Sequence, residues 1–313
     1  MKILVTGGNG FLGGNITNHL RKYINYKISI GVRHIDTSFL TKNDVELIEL
    51  PWHSKAKLKK ICSNFDILIL CAGMNAQECK ADPIKAIEFN CLATARLVSA
   101  AVELGMKKII YFSTAHIYRA PLYGDIDEMT LPESLHPYAT SKRAAEDVVL
   151  AAHRINQCQA ICLRLSNVIG TPANTDVKCW SLFMNDICRQ AVIKKEIQLT
   201  SSGTQRRNFV TISDLNNLVQ HVIENNYSYM DRPIFNVGGS WAPSISEAAE
   251  YVSSIFLEMY GSKIKIIKKH PQIGDINFEL NYISEKIKNN KFVFGNDYED
   301  AIKNLISYCN NTF

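Results

Sequence analysis

The stretch Thr6-Gly7-Gly8-Asn9-Gly10-Phe11-Leu12-Gly13 follows the apolar run Ile3-Leu4-Val5 and leads into a helical pattern over Asn15–Tyr23. A glycine motif between a strand and a helix is the context of a dinucleotide site. Each glycine has a separate reason. Gly7 permits a tight turn off the strand, Gly10 lets a pyrophosphate reach the backbone, and Gly13 lets the new helix pack closely on the sheet. The helix N-terminus adds free N–H groups and a partial positive charge. Gly7, Gly10, Phe11, Leu12 and Gly13 are therefore the first candidate cofactor-binding residues.

Working outward, Lys27–Val32 alternates as a strand should, and Val45–Leu50 reads as another, stopped by Pro51. Asp66–Cys71, Lys107–Phe112 and Ala160–Leu165 are continuously apolar, as in a parallel sheet covered on both faces. Between them lie helical patterns over 54–61, 82–104 and 137–156. This alternation predicts an α/β fold with a doubly wound parallel sheet of the Rossmann type. Beyond Ser166 the pattern loosens. A helix is expected over Lys178–Gln190. Phe209–Ile212, Asp214–Asn225 and Ile234–Val237 are expected to return to the main sheet. Ser246–Met259, Lys263–Ile267 and Tyr298–Tyr308 read as a smaller second domain.

With 313 residues the chain can bury a large core. A net charge of +5 with scattered lysines favours a small anionic substrate and is no nucleic-acid footprint. No apolar run approaches membrane-spanning length, and no secretory leader pattern is read at the N-terminus. The 9 cysteines form no C-x-x-C pair, so no metal site is expected. These features together predict a reduced, cytoplasmic protein.

Two further clusters carry chemistry. An acid about 20 positions past the glycines takes a ribose 2′-hydroxyl, whereas an arginine there suits a 2′-phosphate. Arg33 stands at that place, at the end of the second strand, and favours NADP, with NAD through Asp36 as the alternative. Cys71-Ala72-Gly73 ends the fourth strand at the same sheet edge with small residues that leave room for the dinucleotide. Tyr138 and Lys142 are four apart, on one face of a helix. An ammonium beside a phenol lowers its pKa and makes a usable acid/base for an alcohol. Thr114 closes the fifth strand at the sheet's carboxyl edge and is expected to donate to the substrate oxygen.

With these residues in place, the chain resembles the extended short-chain dehydrogenase/reductases of the nucleotide-sugar epimerase/dehydratase family. Thr6–Gly13 resembles the family's T-G-x-x-G-x-x-G loop, and Ser113-Thr114-Ala115-His116-Ile117-Tyr118 its S-[ST]-x-x-V-Y-G segment. Tyr138–Lys142 resembles the family's catalytic helix start, Arg164–Gly170 its R-x-x-N-V-Y-G strand end, and Gly203–Val210 its G-x-Q-x-R-D-F-V segment. The resemblance implies Thr114, Tyr138 and Lys142 as catalytic, with Lys142 also on the nicotinamide ribose. It implies Asn90 near the cofactor, Asn167 toward the substrate and Arg207 on a nucleotide diphosphate. It also implies a dinucleotide-binding domain over 1–166 and about 208–237, and a nucleotide-sugar domain over about 167–207 and 238–313. A homodimer through the helices near 82–104 and 138–156 is expected on the same ground.

Departures from the family pattern narrow the chemistry. The family's dehydratases carry Asp-Glu after the catalytic threonine, where this chain has Ala115-His116, so elimination is not expected. His116 falls where some relatives carry a proton-transferring cysteine, and imidazole titrates in the right range for that work; the other reading is a histidine that only hydrogen-bonds. The leading expectation is NADPH-dependent reduction of a 4-keto nucleotide-diphosphate sugar. The alternative is a 4-epimerase that keeps NAD bound. A catalytically silent nucleotide-binding protein is the remote third reading.

Overall fold

Lys2–Thr6 (β1), Lys27–Val32 (β2), Glu46–Glu49 (β3), Ile67–Leu70 (β4), Lys108–Thr114 (β5), Gln159–Leu165 (β7) and Ile234–Val237 (β11) form a seven-stranded sheet in the order β11-β7-β5-β4-β1-β2-β3. This is seen in a computed structural model that describes residues 1–35, 45–155, 158–270 and 278–313. β1 runs parallel to β2, from Lys2 opposite Lys27 to Thr6 opposite Gly31, and parallel to β4, from Ile3 opposite Ile67 to Thr6 opposite Leu70. The order reverses between β1 and β4. Ligands of doubly wound sheets bind in the crevice that such a reversal opens at the carboxyl ends of the strands. β1, β4 and β5 are apolar on both faces and almost wholly buried, as helix cover on both sides requires.

The chain divides into two compact units, one of residues 1–117, 132–164 and 218–235, the other of residues 118–131, 165–217 and 236–313. In the first, Leu4, Leu68, Leu97, Ile109, Val149 and Cys162 lie in one apolar cluster. Two buried cations complete it. Lys108 Nζ donates to the carbonyls of Val222, Ile223 and Asn225, each at 2.7 Å, and so closes the negative end of the Ile212–Glu224 helix. Arg164 grips Glu146 with two bonds, Nε to Oε1 at 3.0 Å and Nη2 to Oε2 at 2.8 Å, and both side chains are buried.

In the second unit, Ile187, Val252, Phe256, Ile302 and Leu305 join the helices Phe183–Lys194, Ile245–Tyr260 and Tyr298–Thr312 in one core. Three parallel strand pairs surround it: Asn167–Ile169 (β8) with Phe209–Thr211 (β10), Glu196–Gln198 (β9) with Lys265–Ile267 (β12), and Gly124–Ile126 (β6) with Leu280–Tyr282 (β13). The last pair, with the Asn236 N–H donating to Glu128 Oε1 at 2.8 Å, explains why residues 118–131 cluster here. Buried Asp214 accepts from the N–H groups of Gly295 and Asn296, at 2.6 and 3.1 Å, and pins the turn before the terminal helix.

Three sequence expectations need correction. Of the segments expected to rejoin the main sheet only Ile234–Val237 does so; Phe209–Thr211 pairs with β8, where apolar character without long-range pairing partners carried no address. The helix expected over Lys178–Gln190 spans Phe183–Lys194, after a turn at Cys179–Leu182. The long helix over 82–104 is interrupted. Pro83–Ala86 and Thr94–Glu103 are α-helical, Ile87–Ala93 between them is π-helical, and a short helix at Ala76–Ala81 precedes them with an Asn75/Glu78 capping box. A π turn inserts a residue and rotates the remainder of the helix, and such turns concentrate at functional sites.

Removing one partner of a buried ion pair strands the other. Glu146→Ala is therefore expected to cost about 3–5 kcal/mol in urea unfolding, and the apolar pair Glu146→Leu with Arg164→Met to recover most of it.

Candidate functional site

The first unit gathers the glycine loop and the expected catalytic trio at the carboxyl edge of its strands. Gly7 has φ +66°, and a Cβ on it would lie 2.8 Å from Ala72 N, so both conformation and space demand glycine. A Cβ on Gly13 would strike the Gly7 carbonyl oxygen. On Gly10 a Cβ would meet only Gly7 O, at 3.1 Å, and otherwise open space that a side chain would fill. Gly10 also N-caps the Phe11–Leu20 helix with no side-chain cap and no acid in the first turn, so the helix N–H groups are left for an anion. The sequence reading missed Gly8, whose missing side chain makes room for Ile30. It also missed Thr6, whose Oγ1 accepts from Cys71 N at 3.2 Å and Ala72 N at 3.1 Å and ties the two central strand ends together. The threonine that opens the motif was the available signal.

Arg33 stands exposed at the end of β2, its Cζ 5.3 Å from the centroid of the Phe89 ring. Glu49, at the end of the adjacent strand, has a carboxylate oxygen 3.5 Å from His34 Nδ1. Asp36, the alternative ribose partner, lies outside the described residues. Asn90 is turned inward by the π-helical segment and is 2 % exposed. Its Oδ1 accepts from Met74 N at 2.7 Å, and its Nδ2 donates to Ser141 Oγ at 3.0 Å and Cys79 Sγ at 3.4 Å. Ser141 Oγ in turn donates to Tyr138 O at 3.0 Å. The Asn90 amide is thus engaged by the protein itself. It anchors the loop after β4 and the start of the Pro137–Arg154 helix.

Pro137–Arg154 is a continuous helix with His136 as N-cap and proline in its first turn. It brings Tyr138 close to the hydroxyl of Thr114, the last residue of β5, near enough for that hydroxyl to favour the Tyr138 phenolate. Thr114 Oγ1 also accepts from His116 N at 3.2 Å. Burial pushes the Tyr138 phenol up to about 12, and the Thr114 hydroxyl offsets this only in part. Lys142 is 7 % exposed and burial lowers its ammonium to about 8, although Cys71, Glu146 and Cys79 act the other way. Its Nζ sits 4.6 Å from the centroid of the Tyr111 ring, and no carboxylate pairs with it among the described residues.

This corrects the expectation that Lys142 lowers the Tyr138 pKa. The two residues share a helix face, but the ammonium turns toward Tyr111 and lies near Gly73, where a Cβ would be 3.8 Å away. Desolvation governs the phenol, which stays protonated. His116 is exposed on a short 3₁₀ turn, Ala115–Ile117.

In the second unit, Arg206 and Arg207 are adjacent and differ. Arg206 is neutralised by Glu247 and Glu279, each at 3.2 Å. Arg207 packs its guanidinium 5.2 Å from the Phe183 ring centroid, has no carboxylate partner among the described residues, and has its pKa lowered by burial. A half-buried, uncompensated guanidinium is suited to an anion. Asn167 Nδ2 donates to the Asn208 carbonyl at 2.9 Å, which fixes the orientation of its amide. Among the described residues no group of three or more His, Cys, Asp or Glu is placed to hold a metal, and no helix is long and apolar enough to cross a membrane.

Lys142 is charged below about pH 8 in the folded chain but up to about pH 10.4 when unfolded. Its burial cost is therefore complete below pH 8 and disappears as pH rises through that window, where the unfolded state binds more protons. Lys142→Met is expected to raise the ligand-free melting temperature at pH 7, by roughly 1–3 kcal/mol of stability, with the gain shrinking by pH 10. Scanning calorimetry at the two pH values checks both sign and trend.

Residues 3–238 match the NAD dependent epimerase/dehydratase family. Among curated proteins, the dTDP-D-glucose 4,6-dehydratase of Mus musculus is 25% identical over 339 residues, covering 100% of this chain and 89% of its own. The UDP-glucuronic acid decarboxylase 3 of Arabidopsis thaliana is 24% identical over 286 residues, covering 87% of this chain and 78% of its own. Among solved structures, the UDP-glucuronic acid 4-epimerase from Bacillus cereus, in complex with UDP-glucuronic acid and NAD, superposes with a TM-score of 0.82 at 21% identity over 100% of both chains. At that identity the likeness is one of fold. The glycine loop, the Thr114–Tyr138 pair, Lys142 and the family match over 3–238 lead to one conclusion: the chain belongs to the NAD dependent epimerase/dehydratase family.

Proposed function

We propose that the chain is an oxidoreductase on a nucleotide-diphosphate sugar, reducing a 4-keto intermediate with NADPH. The observation that carries this reading is the buried, protonated Tyr138 phenol set close to the Thr114 hydroxyl, with Lys142 on the same helix face. A protonated phenol is ready to give its proton to a forming alkoxide, which is the reducing direction. The glycine loop and uncapped helix accept a pyrophosphate, Lys142 the nicotinamide ribose, and Arg33 a 2′-phosphate. A bound nicotinamide dinucleotide supplies the hydride. Thr114 and Tyr138 both hold the substrate oxygen, Tyr138 protonates it, and the Thr114 hydroxyl favours the phenolate left behind. Arg207 takes the diphosphate, and Asn167 faces the sugar. The curated relatives named above act, by name, on dTDP- or UDP-linked sugars, which supports this substrate class.

A second reading is the 4-epimerase, supported by the Bacillus cereus epimerase in complex with NAD. Elimination finds less support, because Ala115 and His116 follow the threonine where carboxyl groups would be needed.

The readings separate when purified protein is given UDP- and dTDP-sugars and their 4-keto derivatives. The reductase consumes one NADPH per keto sugar. The epimerase inverts C4 with no net change in nicotinamide absorbance and carries NAD from purification. Tyr138→Phe is expected to lower kcat by about 10²–10⁴ with little change in KM. Arg207→Met is expected to raise KM for the nucleotide sugar by about 10–100-fold. Absence of both turnover and any melting shift with nucleotide sugars overturns the proposal.

We also infer pairing with a second copy. Ile84 is 75% exposed, Leu92 42% and Ile155 63%, on the helical segments of residues 83–103 and 137–154 or just past their end. Light scattering should give a dimer mass that Leu92→Glu reduces to a monomer; a monomeric native chain overturns the pairing.

A further inference from the structure

The cation at the end of β2 is held by something the motif does not contain. Arg33 places its guanidinium 5.3 Å from the centre of the Phe89 ring, and Phe89 is set edge-on against Trp52, with centroids 5.5 Å apart and planes at 60°. Trp52 is 8 % exposed and belongs to the apolar cluster of this unit, so it braces Phe89 from behind. Phe89 owes its position to the π-helical segment Ile87–Ala93, the same turn that sends Asn90 inward one residue later. Glu49, at the end of the adjacent strand, has a carboxylate oxygen 3.5 Å from His34 Nδ1. Arg33 is therefore stacked on one face with no carboxylate on its N–H groups among the described residues.

Resting on the reading of Arg33 as the 2′-phosphate partner, we propose that Phe89 is a positioning residue for cofactor choice. Its ring holds the Arg33 guanidinium at the sheet edge so that the adenosine 2′-phosphate meets a pre-placed fork of donors that no carboxylate takes among the described residues. A long exposed side chain otherwise loses rotamer freedom when it binds, and that loss weakens the contact. Stacking on an aromatic ring removes much of it beforehand and leaves the guanidinium edge, which carries the donors, available to phosphate oxygens. The Trp52–Phe89–Arg33 cluster is a ligand-discriminating element distinct from the glycine loop. The loop meets the pyrophosphate that both dinucleotides share, and the cluster meets the group that distinguishes them.

The test is the ratio of dissociation constants for NADP and NAD, measured by calorimetric titration on the full chain without substrate. Wild type should prefer NADP, and Arg33→Ala should abolish the preference. Phe89→Leu should reduce it by about two- to fivefold while leaving NAD affinity unchanged, and Phe89→Tyr should restore it. A residue that only supported the fold would weaken both dinucleotides together and leave the ratio alone. If wild type prefers NADP and Phe89→Leu keeps the full preference, the positioning role is wrong and the Arg33 reading stands. If wild type prefers NAD and Arg33→Ala changes nothing, the Arg33 reading fails and the positioning role with it.

Discussion

An ammonium taken out of water without a counter-ion is the constraint around which the first unit is built. Lys142 has the Tyr111 ring beside it and, among the described residues, no carboxylate paired with it. One acid stands a helical turn away: Glu146 lies four residues along the same helix, the spacing at which lysine and glutamate ordinarily pair. Arg164 prevents that by taking both Glu146 oxygens, at 3.0 and 2.8 Å. The buried ion pair thus has a role beyond its own modest net stability. It keeps Glu146 from pairing with Lys142. Gly73 sits close by, where an added Cβ would be 3.8 Å from Lys142 Nζ.

The second unit repeats this logic. Of two adjacent arginines, Arg206 is neutralised by Glu247 and Glu279, and Arg207 is left on an aromatic ring. Arg33 against Phe89 is a third cation on a ring. In the first two cases a neighbouring cation occupies the acids, and in all three the cation rests against a π face. A ring holds a cation in place without satisfying its hydrogen bonds, so an arriving anion gains contacts without first breaking an ion pair.

Much of this was legible in the sequence where the signal is periodic or steric. The strands with continuous apolar runs, the glycines at 7, 10 and 13, and the one-face spacing of Tyr138 and Lys142 all derive from local geometry. The features that were not legible depend on long-range pairing. Phe209–Thr211 reads the same whether it joins the large sheet or pairs with Asn167–Ile169. The π-helical turn at Ile87–Ala93 leaves no mark in a pattern whose apolar residues fit an α-helix, yet it determines where Phe89 and Asn90 stand. The fates of Arg206 and Arg207 diverge because Glu247 and Glu279 come from distant segments.

The tyrosine and lysine show where residue-by-residue chemistry gives way to environment. Taken alone, an ammonium four positions from a phenol argues for a phenolate. Burial acts on both groups and favours the neutral form of each, so the phenol rises to about 12 while the ammonium falls to about 8. In the ligand-free chain the pair is thus a proton donor beside a lysine that is still charged at neutral pH. Removing a proton from Tyr138 requires new favourable charge or donors at the phenolate, and only Thr114 provides any in the protein alone. Proton donation needs no such preparation, because the acid already carries its proton. The same burial that makes the lysine costly to the fold therefore makes the tyrosine a weaker acid and its phenolate a stronger base.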